Sequence, residues 1–283
     1  MQVFQTIHHF HAWRNSQSPT LQIGLVPTMG ALHEGHLSLV HQSVQAADLT
    51  VVTIFVNPTQ FGPNEDLDKY PRQLDQDLEL LKAAGVDVVL APDVREVYAD
   101  PAHLQISFQI KSLDKVLCGA SRPGHMNGVL QVVSILFHLV RPQLAFFGAK
   151  DYQQFLLIRQ MVRELHFPLE VIPCPIVREK DGLAMSSRNV YLGEEERKQA
   201  LALYRSLQLS LRLSQEGASP MQVRNLVLQG LEAFPLVRLD YFELLSGETL
   251  EPIEDLFPTS YPHAFIAAYL GKTRLIDNLA LYP

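Results

Sequence analysis

Leu25-Val-Pro-Thr-Met-Gly-Ala-Leu-His-Glu-Gly-His36 is the stretch around which the chain is organised. The apolar run over 21–26 predicts a buried strand, which Pro27 and Gly30 bring to an end. A helical pattern begins near Gly35 and continues to about residue 47. The stretch is therefore predicted to be a turn that leads from a strand into a helix.

His33 and His36 lie in this turn, at or near the first turn of the predicted helix. A helix N-terminus offers unpaired N–H groups and a partial positive charge, which suit a phosphate. Two imidazoles there add hydrogen bonds to phosphate oxygens and supply a proton or positive charge near neutral pH. The alternative interpretation is that both histidines only cap the helix or lie on the surface. Zinc is disfavoured because the spacing is H-x-x-H and no third-ligand motif is evident.

Composition restricts the classes of protein to which the chain can belong. Its 283 residues suffice for one large domain or two ordinary ones. Hydrophobic residues make up 47 % and charged residues 19 % of the sequence, and this composition is typical of a soluble globular protein. A net charge of −7 argues against broad nucleic-acid binding. No signal peptide or membrane-length apolar run is visible. The two cysteines, Cys118 and Cys174, form no C-x-x-C pair, so we expect a cytoplasmic protein.

The pattern after the histidine turn predicts alternating strands and helices. Leu49–Val56 is a β-branched apolar run, and a helix over 72–84 and a strand over 86–91 follow it. This order predicts a doubly wound parallel sheet with α/β architecture. Ligands of such sheets bind outside the carboxyl ends of the strands, where the histidine turn and the loop Asn57–Gln60 both lie.

The rest of the chain is predicted to complete this domain and to form a second one. The predicted elements are a strand over 106–110, a short helix over 113–119, a helix over 129–140, a strand over 144–147, helices over 194–214 and 219–233, and strands over 238–245, 264–270 and 273–277. Prolines and a polar stretch near 173–182 mark a boundary, so we expect a first domain over 1–176 and a smaller α+β domain over 177–283.

Two polar segments suggest further phosphate contacts. Lys150 can hold a phosphate as a point charge, and Asp151 can cap the helix that follows. Ser186, Ser187 and Arg188 place two hydroxyls and a guanidinium in succession, which suits a polyphosphate. An ordinary surface turn is the alternative interpretation of this second segment.

Six separated motifs together resemble the pantothenate synthetase (pantoate–β-alanine ligase) family over nearly the whole chain. They are Val26-Pro-Thr-Met-Gly-Ala-Leu-His-Glu-Gly-His36, Ile54-Phe-Val-Asn-Pro-Thr-Gln-Phe61, Tyr70-Pro-Arg72, Gly119-Ala-Ser-Arg-Pro-Gly-His125, Phe147-Gly-Ala-Lys-Asp-Tyr-Gln-Gln154 and Asp181-Gly-Leu-Ala-Met-Ser-Ser-Arg-Asn189. The resemblance implies the H-x-G-H nucleotidyl-transferase superfamily, with a Rossmann-like domain for ATP and pantoate and a smaller lid-like C-terminal domain.

The same resemblance implies a reaction in two steps. Pantoate and ATP would give pantoyl adenylate and pyrophosphate, and β-alanine would then attack to give pantothenate and AMP. Mg²⁺ is expected with ATP, although its protein ligands are unknown. The partners implied are these small molecules and a second copy of the chain in a homodimer, with neither nucleic acid nor membrane.

The resemblance also assigns site residues. His33, His36, Lys150 and Arg188 would be catalytic, with His36 the residue usually assigned as proton donor. The residues that would bind ATP are Met29, Gly30, Ala31, Leu32, His33, Glu34, Gly35, His36, Gly148, Ala149, Lys150, Asp151, Val177, Met185, Ser186, Ser187 and Arg188. The residues that would bind or surround pantoate are Gln60, Gln154, Asn57, Tyr70 and Arg122. The chain departs from the family pattern at Cys118 and Ala149, where glutamate is usual, and at Asn127, where arginine is frequent.

Three other kinds of protein remain to be distinguished from such a ligase. A nucleotidyltransferase that stops at an activated product would share the histidine turn but would not be expected to share the segments Asn57–Gln60 and Gln153–Gln154. An aminoacyl-tRNA synthetase would need RNA-binding appendages and a basic face, and neither is evident. A catalytically silent nucleotide-binding or scaffold protein is disfavoured by the retained polar residues, which are His33, His36, Lys150, Ser186, Ser187 and Arg188.

Overall fold

The computed structural model describes residues 1–63, 65–98, 100, 104, 106–110, 112–257 and 260–282. The chain forms two compact units. Unit 1 contains Met1–Ala149 and Gln154–Pro175, and unit 2 contains Lys150–Gln153 and Ile176–Pro283. The short segment Lys150–Gln153 therefore belongs to unit 2, although the residues on both sides of it in the sequence belong to unit 1.

Unit 1 is built on a six-stranded sheet in which all paired strands are parallel. The strands are β1 (Gln2–Phe4), β2 (Ile23–Thr28), β3 (Leu49–Ile54), β4 (Val88–Leu90), β5 (Leu144–Gly148) and β6 (Glu170–Cys174). Their spatial order is β1-β4-β3-β2-β5-β6. From β2 the chain adds β3 and β4 on one side and then β5 and β6 on the other. The direction of strand addition therefore reverses between β2 and β5, and doubly wound folds bind ligands at such a point. The predicted fold class is confirmed.

Helices pack on this sheet because its central strands are apolar on both faces. The helices up to the end of this unit are α1 (Ile7–Ser16), α2 (Glu34–Ala46), α3 (Leu74–Ala83), α4 (Val94–Val97), α5 (Leu117–Ser121), α6 (His125–Val140) and α7 (Tyr152–Glu164), the first two residues of α7 lying in unit 2. In one core cluster, Val40 of α2 and Leu81 of α3 are fully buried with Val26 and Val52 of the sheet. Burial of these β-branched and leucine side chains supplies the main driving force for the unit.

The sequence analysis did not predict the two outer strands. Strand β1 is only three residues long, and β6 contains Pro173. The central strand β2 also contains a proline, Pro27, which lies opposite Thr53, so the prediction that Pro27 ends this strand was wrong. A proline lacks the N–H that a ladder hydrogen bond needs and is accommodated more easily at the edge of a sheet, where β6 lies. Edge position thus explains why a segment interpreted as a boundary forms a strand.

The predicted strand over 106–110 was wrong. Its backbone groups contact side chains of α6 instead of a neighbouring strand. Phe108 N donates to Asn127 Oδ1 at 2.6 Å, and Gln131 Nε2 donates to Ile106 O. The segment is therefore bonded to α6, and Asn127, one of the departures from the family pattern, is part of that contact.

Unit 2 is a small α+β unit, as predicted. Its three strands, β7 (Val237–Ser246), β8 (Pro262–Leu270) and β9 (Thr273–Ala280), pair antiparallel in the order β7-β8-β9. The helices α8 (Glu194–Gln199), α9 (Leu201–Gln215) and α10 (Pro220–Leu231) complete it. The single helix predicted over 194–214 is therefore two, separated at Ala200. Leu203 and Leu207 of α9 share a core cluster with Phe242 and Ile266 of the sheet.

Among the described residues, the structure contains no helix with the length and apolar character needed to cross a membrane.

Candidate active site

The histidine turn begins directly after β2 and has an unusual backbone. Gly30 and Ala31 have φ values of 77° and 51°, so two successive residues occupy the left-handed region. The buried carboxylate of Asp77, on α3, accepts hydrogen bonds from the N–H groups of Ala31 at 2.9 Å and Leu32 at 2.8 Å. The strained backbone is therefore held by a charged acceptor from a neighbouring helix.

Asp77 was missed in the sequence analysis, although the pattern contains a signal for it. It lies three residues after Leu74 and four before Leu81, so it shares the inward face of α3 with apolar residues. Its side chain is only 1 % exposed. A carboxylate on a buried helix face must find strong donors, and here they are the backbone N–H groups of the turn.

His33 and His36 both cap α2. His33 Nδ1 accepts from Gly35 N at 3.1 Å, and His36 Nδ1 accepts from His33 N at 3.4 Å. The ring centroids are 4.1 Å apart. Because Nδ1 acts as an acceptor in each ring, the neutral form carries its proton on Nε2. Both histidines therefore cap the helix, and in each neutral ring Nε2 is the nitrogen that can donate to an anion; whether they also bind phosphate stays a prediction.

A cluster of buried amides follows β3. Asn57, 1 % exposed, accepts at Oδ1 from the hydroxyl groups of Tyr98 and Thr59, each at 3.0 Å. Its Nδ2 group donates to Gln60 Oε1 and to Gly128 O, both at 3.1 Å. The carbonyl of Gly128 can only accept, and Thr59 N, 3.3 Å from Asn57 Oδ1, can only donate, so the orientation of the Asn57 amide is fixed. It also fixes the Gln60 amide, whose Oε1 must accept. Tyr98 and Thr59 were not predicted to support the site.

The Gln60 amide connects this cluster with the histidine turn. Its Nε2 group contacts Met29 Sδ at 3.1 Å, and sulfur is a weak acceptor. The backbone of the 3₁₀ turn Pro58–Gln60 also approaches α6 closely, because a Cβ atom on Gly128 would lie 2.3 Å from Thr59 O. Two predicted site residues, Met29 and Gln60, are thus brought together within unit 1.

Arg122 lies in a chain of polar contacts that ends at Gln60. It donates to both carboxylate oxygens of Glu65, at 2.7 and 2.5 Å, and its NH1 group contacts His125 Nε2 at 2.9 Å. His125 Nδ1 lies 2.8 Å from Gln60 O and donates to it, because a carbonyl can only accept. Burial alone would raise the pKa of Glu65, but the hydrogen bonds and charge of Arg122 hold that pKa below its usual value.

Unit 2 contains Lys150 and Asp151, whose side-chain Nζ and Oδ2 atoms are 4.0 Å apart. Asn278 Nδ2, on β9, donates to Lys150 O at 2.9 Å. Tyr152 donates its hydroxyl to Gly247 O at 3.0 Å. The backbone of this segment is therefore attached to the sheet of unit 2.

Asn278 in turn contacts a buried histidine of β8. The distance from His263 Nε2 to Asn278 Oδ1 is 2.8 Å, so the Nε2–H group donates. The His263 ring stacks on Phe265 with centroids 4.6 Å apart. Burial lowers the pKa of His263 to about 4, although its hydrogen bond to Asn278 opposes the shift. His263 is consequently neutral around pH 7.

The remaining predicted phosphate residues lie on a hairpin of unit 2 and the 3₁₀ turn after it. Met185 N donates to Val177 O at 3.0 Å, and Ser186 Oγ accepts from Arg188 N at 3.3 Å at the start of the 3₁₀ turn Ser187–Tyr191. Arg178 anchors the hairpin through two hydrogen bonds to Asp277 of β9, at 2.6 and 3.0 Å.

The other predicted residues have simpler surroundings. Gly148 ends β5, and Ala149 begins the short 3₁₀ turn after it. Tyr70 is buried with its ring edge-on to Phe61, and Gln154 is half-buried on α7. In the described part of the chain, no group of three or more histidine, cysteine, aspartate or glutamate side chains is arranged to hold a metal ion.

We predict that Asp77→Asn lowers the free energy of unfolding by about 2 kcal/mol, because the amide offers only one acceptor to two N–H groups. Urea unfolding measures the change. Asp75→Asn is the matched control, since Asp75 lies in the same first turn of α3 but is exposed. Equal effects of the two substitutions would contradict the role given to Asp77.

We also predict that His263 makes stability depend on pH. Because its folded pKa is below its unfolded value, the unfolded state takes up a proton first, and stability falls as pH decreases from about 6.5 to 4. The loss reaches about 3 kcal/mol at the lower end of this range. Urea unfolding of His263→Gln should show a weaker pH dependence, whereas His8→Gln, at an exposed position, should behave as the wild type.

The family model described as pantoate-beta-alanine ligase matches residues 2–280. Pantothenate synthetase of Pseudothermotoga lettingae is 52 % identical over 260 residues, which are 92 % of this chain and 91 % of that protein. Pantothenate synthetase of Thermotoga neapolitana is 48 % identical over 283 residues, covering 99 % of this chain and 100 % of that protein.

Solved structures give the same result. The structure of pantothenate synthetase from Thermus thermophilus has a TM-score of 0.93 at 44 % identity, with 100 % of both chains covered. The structure of pantoate-beta-alanine ligase from Francisella tularensis, complexed with beta-gamma ATP and beta-alanine, has a TM-score of 0.82 at 35 % identity and covers 100 % of this chain and 98 % of that one. Because the matches extend over nearly the whole sequence, the chain belongs to the pantoate–β-alanine ligase family and the protein is a ligase.

Proposed function

We propose that the protein condenses pantoate with β-alanine at the expense of ATP, through a pantoyl-adenylate intermediate. The pantoate carboxylate attacks the α-phosphorus, a new O–P bond forms, and pyrophosphate leaves. The β-alanine amine then attacks the acyl carbon, the C–O bond to AMP breaks, and the amine loses a proton. The proposal rests on membership of the family and on the amide cluster of unit 1.

The observation that carries the proposal is the fixed orientation of the Gln60 amide. Asn57 donates to Gln60 Oε1, so the Gln60 NH₂ group is the end that a ligand meets, beside Met29. A thioether accepts hydrogen bonds poorly, and a carboxylate or hydroxyl oxygen of pantoate is a better acceptor. Gln60 is thus prepared to bind an acceptor-rich substrate next to the residues assigned to ATP.

The first step needs alignment and charge neutralisation more than a base, because the attacking group is already a carboxylate. We assign His33 and His36 to phosphate oxygens through their Nε2–H groups, which the cap geometry favours. Lys150 and Arg188 are assigned to the developing charge on pyrophosphate. These assignments are carried over from the family motifs. The remaining ATP contacts are carried over in the same way, and they are Met29 to His36, Gly148 to Asp151, Val177 and Met185 to Ser187.

Mg²⁺ is proposed to enter as part of the ATP substrate complex. The described residues contain no cluster of three acidic or histidine side chains suited to a metal ion. Mg²⁺ commonly retains several waters and binds to phosphates with one or two carboxylates. We therefore propose that phosphate oxygens of ATP and water supply most of its ligands.

The surroundings of the intermediate must exclude water until the amine arrives, because an acyl adenylate hydrolyses. We propose that residues 177–283 form a lid-like domain with this task. The family resemblance further suggests a homodimer, and the absence of disulfide patterning suits the cytoplasm.

The direct test measures pyrophosphate, AMP and pantothenate from the purified protein with ATP, Mg²⁺ and pantoate, with and without β-alanine. AMP and pantothenate should appear only when all substrates are present. Without β-alanine, pyrophosphate should not exceed one per site, which would indicate a sequestered adenylate. Catalytic pyrophosphate release with pantoate alone would favour a nucleotidyltransferase, and the absence of all products would favour a silent nucleotide-binding protein.

Gln60→Glu tests the role of the amide with almost no change in volume. The variant loses the NH₂ donor and gains a negative charge, so the KM for pantoate should rise about tenfold to a hundredfold while the KM for ATP changes little. Gln76→Glu makes the same change at an exposed position of α3 and serves as the control. An unchanged pantoate KM in Gln60→Glu would exclude Gln60 from the pantoate site.

A further inference from the structure

The segment Lys150–Gln153 follows β5 of unit 1 in sequence but is bound to the sheet of unit 2. Three contacts within unit 2 hold it. Asn278 Nδ2 donates to Lys150 O at 2.9 Å, Tyr152 donates its hydroxyl to Gly247 O at 3.0 Å, and the Tyr152 ring lies 4.3 Å from that of His263. The backbone position of Lys150 is therefore set by the strands of unit 2.

Asn278 can hold Lys150 because its own amide has a defined orientation. The His263 Nε2–H group donates to Asn278 Oδ1 at 2.8 Å, so the NH₂ end of the amide must point the other way, toward Lys150 O. Asn278 and His263 are only 3 % and 6 % exposed. Water competes poorly for hydrogen bonds at such buried groups, so the pair acts as a rigid support.

A lysine needs such a support if its charge is to act at one place. The four-carbon side chain is flexible, and its ammonium group is a point charge without the planar geometry of a guanidinium. A fixed backbone restricts the region that Nζ can reach, whereas a mobile backbone adds conformations in which the charge misses a phosphate.

We propose that Asn278, oriented by His263, is a positioning residue for Lys150 and thereby for the contact of Lys150 with ATP phosphates. The inference rests on the proposed function, because it takes from it the role of Lys150. It adds two residues of the C-terminal sheet, neither of which belongs to the motifs assigned to the ATP site.

The substitution Asn278→Asp isolates the contact. The new carboxylate still accepts from His263 and has nearly the same volume, but it offers no donor to Lys150 O and places negative charge against that carbonyl. Isothermal titration calorimetry of the full chain with ATP and Mg²⁺ should show about tenfold weaker binding. The KM for β-alanine should not change.

A double-mutant cycle with Lys150→Ala separates positioning from general destabilisation. If Asn278 acts through Lys150, adding Asn278→Asp to Lys150→Ala should not weaken ATP binding further. If Asn278 only stabilises the fold, the two effects on ATP affinity should add, and that result would overturn the proposal.

Asn278→Asp also adds a negative charge, and this charge needs a control. Asn225→Asp, the same change at an exposed position of α10, controls for the added charge and should bind ATP as the wild type does.

Should Asn278→Asp fail to fold, Tyr152→Phe tests the same support, because it removes only the hydroxyl that donates to Gly247 O and keeps the ring beside His263. It should weaken ATP binding in the wild type and not in Lys150→Ala. If the wild type binds ATP but makes no pantothenate, the proposed function fails, while the cycle still decides the role of Asn278. No ATP binding by the wild type would overturn both proposals.

Discussion

The parallel pairing of β2 with β3 is the interaction on which the organisation of unit 1 depends. Ile23 to Thr28 pair in unbroken register with Leu49 to Ile54, so both strands end at the same level. Two further hydrogen bonds join the strands at this end, from Thr28 Oγ1 to Thr53 O at 2.7 Å and from Phe55 N to Thr28 O at 3.0 Å. The histidine turn and the amide loop therefore start side by side, and this allows Gln60 to reach Met29.

Buried polar side chains convert this juxtaposition into a defined site. Asp77 holds the left-handed turn at Ala31, and Asn57 orients Gln60. Each of these side chains is almost completely buried, and its hydrogen bonds are made to neighbours that are themselves fixed. Buried polar groups that lack partners are costly, so the arrangement with all these bonds formed is strongly preferred over its alternatives. Unit 2 uses the same principle, with His263, Asn278 and the carbonyl of Lys150 in one chain of hydrogen bonds.

Sequence patterns predicted the central strands because a parallel sheet covered on both faces requires continuous apolar runs, and 21–26 and 49–56 are such runs. The same reasoning failed at the edges. Strand β6 lies at an edge and carries a proline that the sequence analysis interpreted as a boundary, and 106–110 has strand composition but bonds to side chains of α6. In both cases the outcome depends on which neighbour supplies the hydrogen bonds, and local composition does not contain that information.

The sequence by itself determined the doubly wound class, the small α+β unit and the family, because these follow from the periodicity of apolar residues and from motifs whose own residues lie close together along the chain. Only the tertiary structure decided which side chains support those motifs. Asp77, Tyr98 and His263 belong to none of the motifs. Lys150 belongs to unit 2, although it follows a strand of unit 1 in sequence. The reason is physical: a buried polar group is satisfied by whatever the fold places within about 3 Å, and such partners are often distant in sequence.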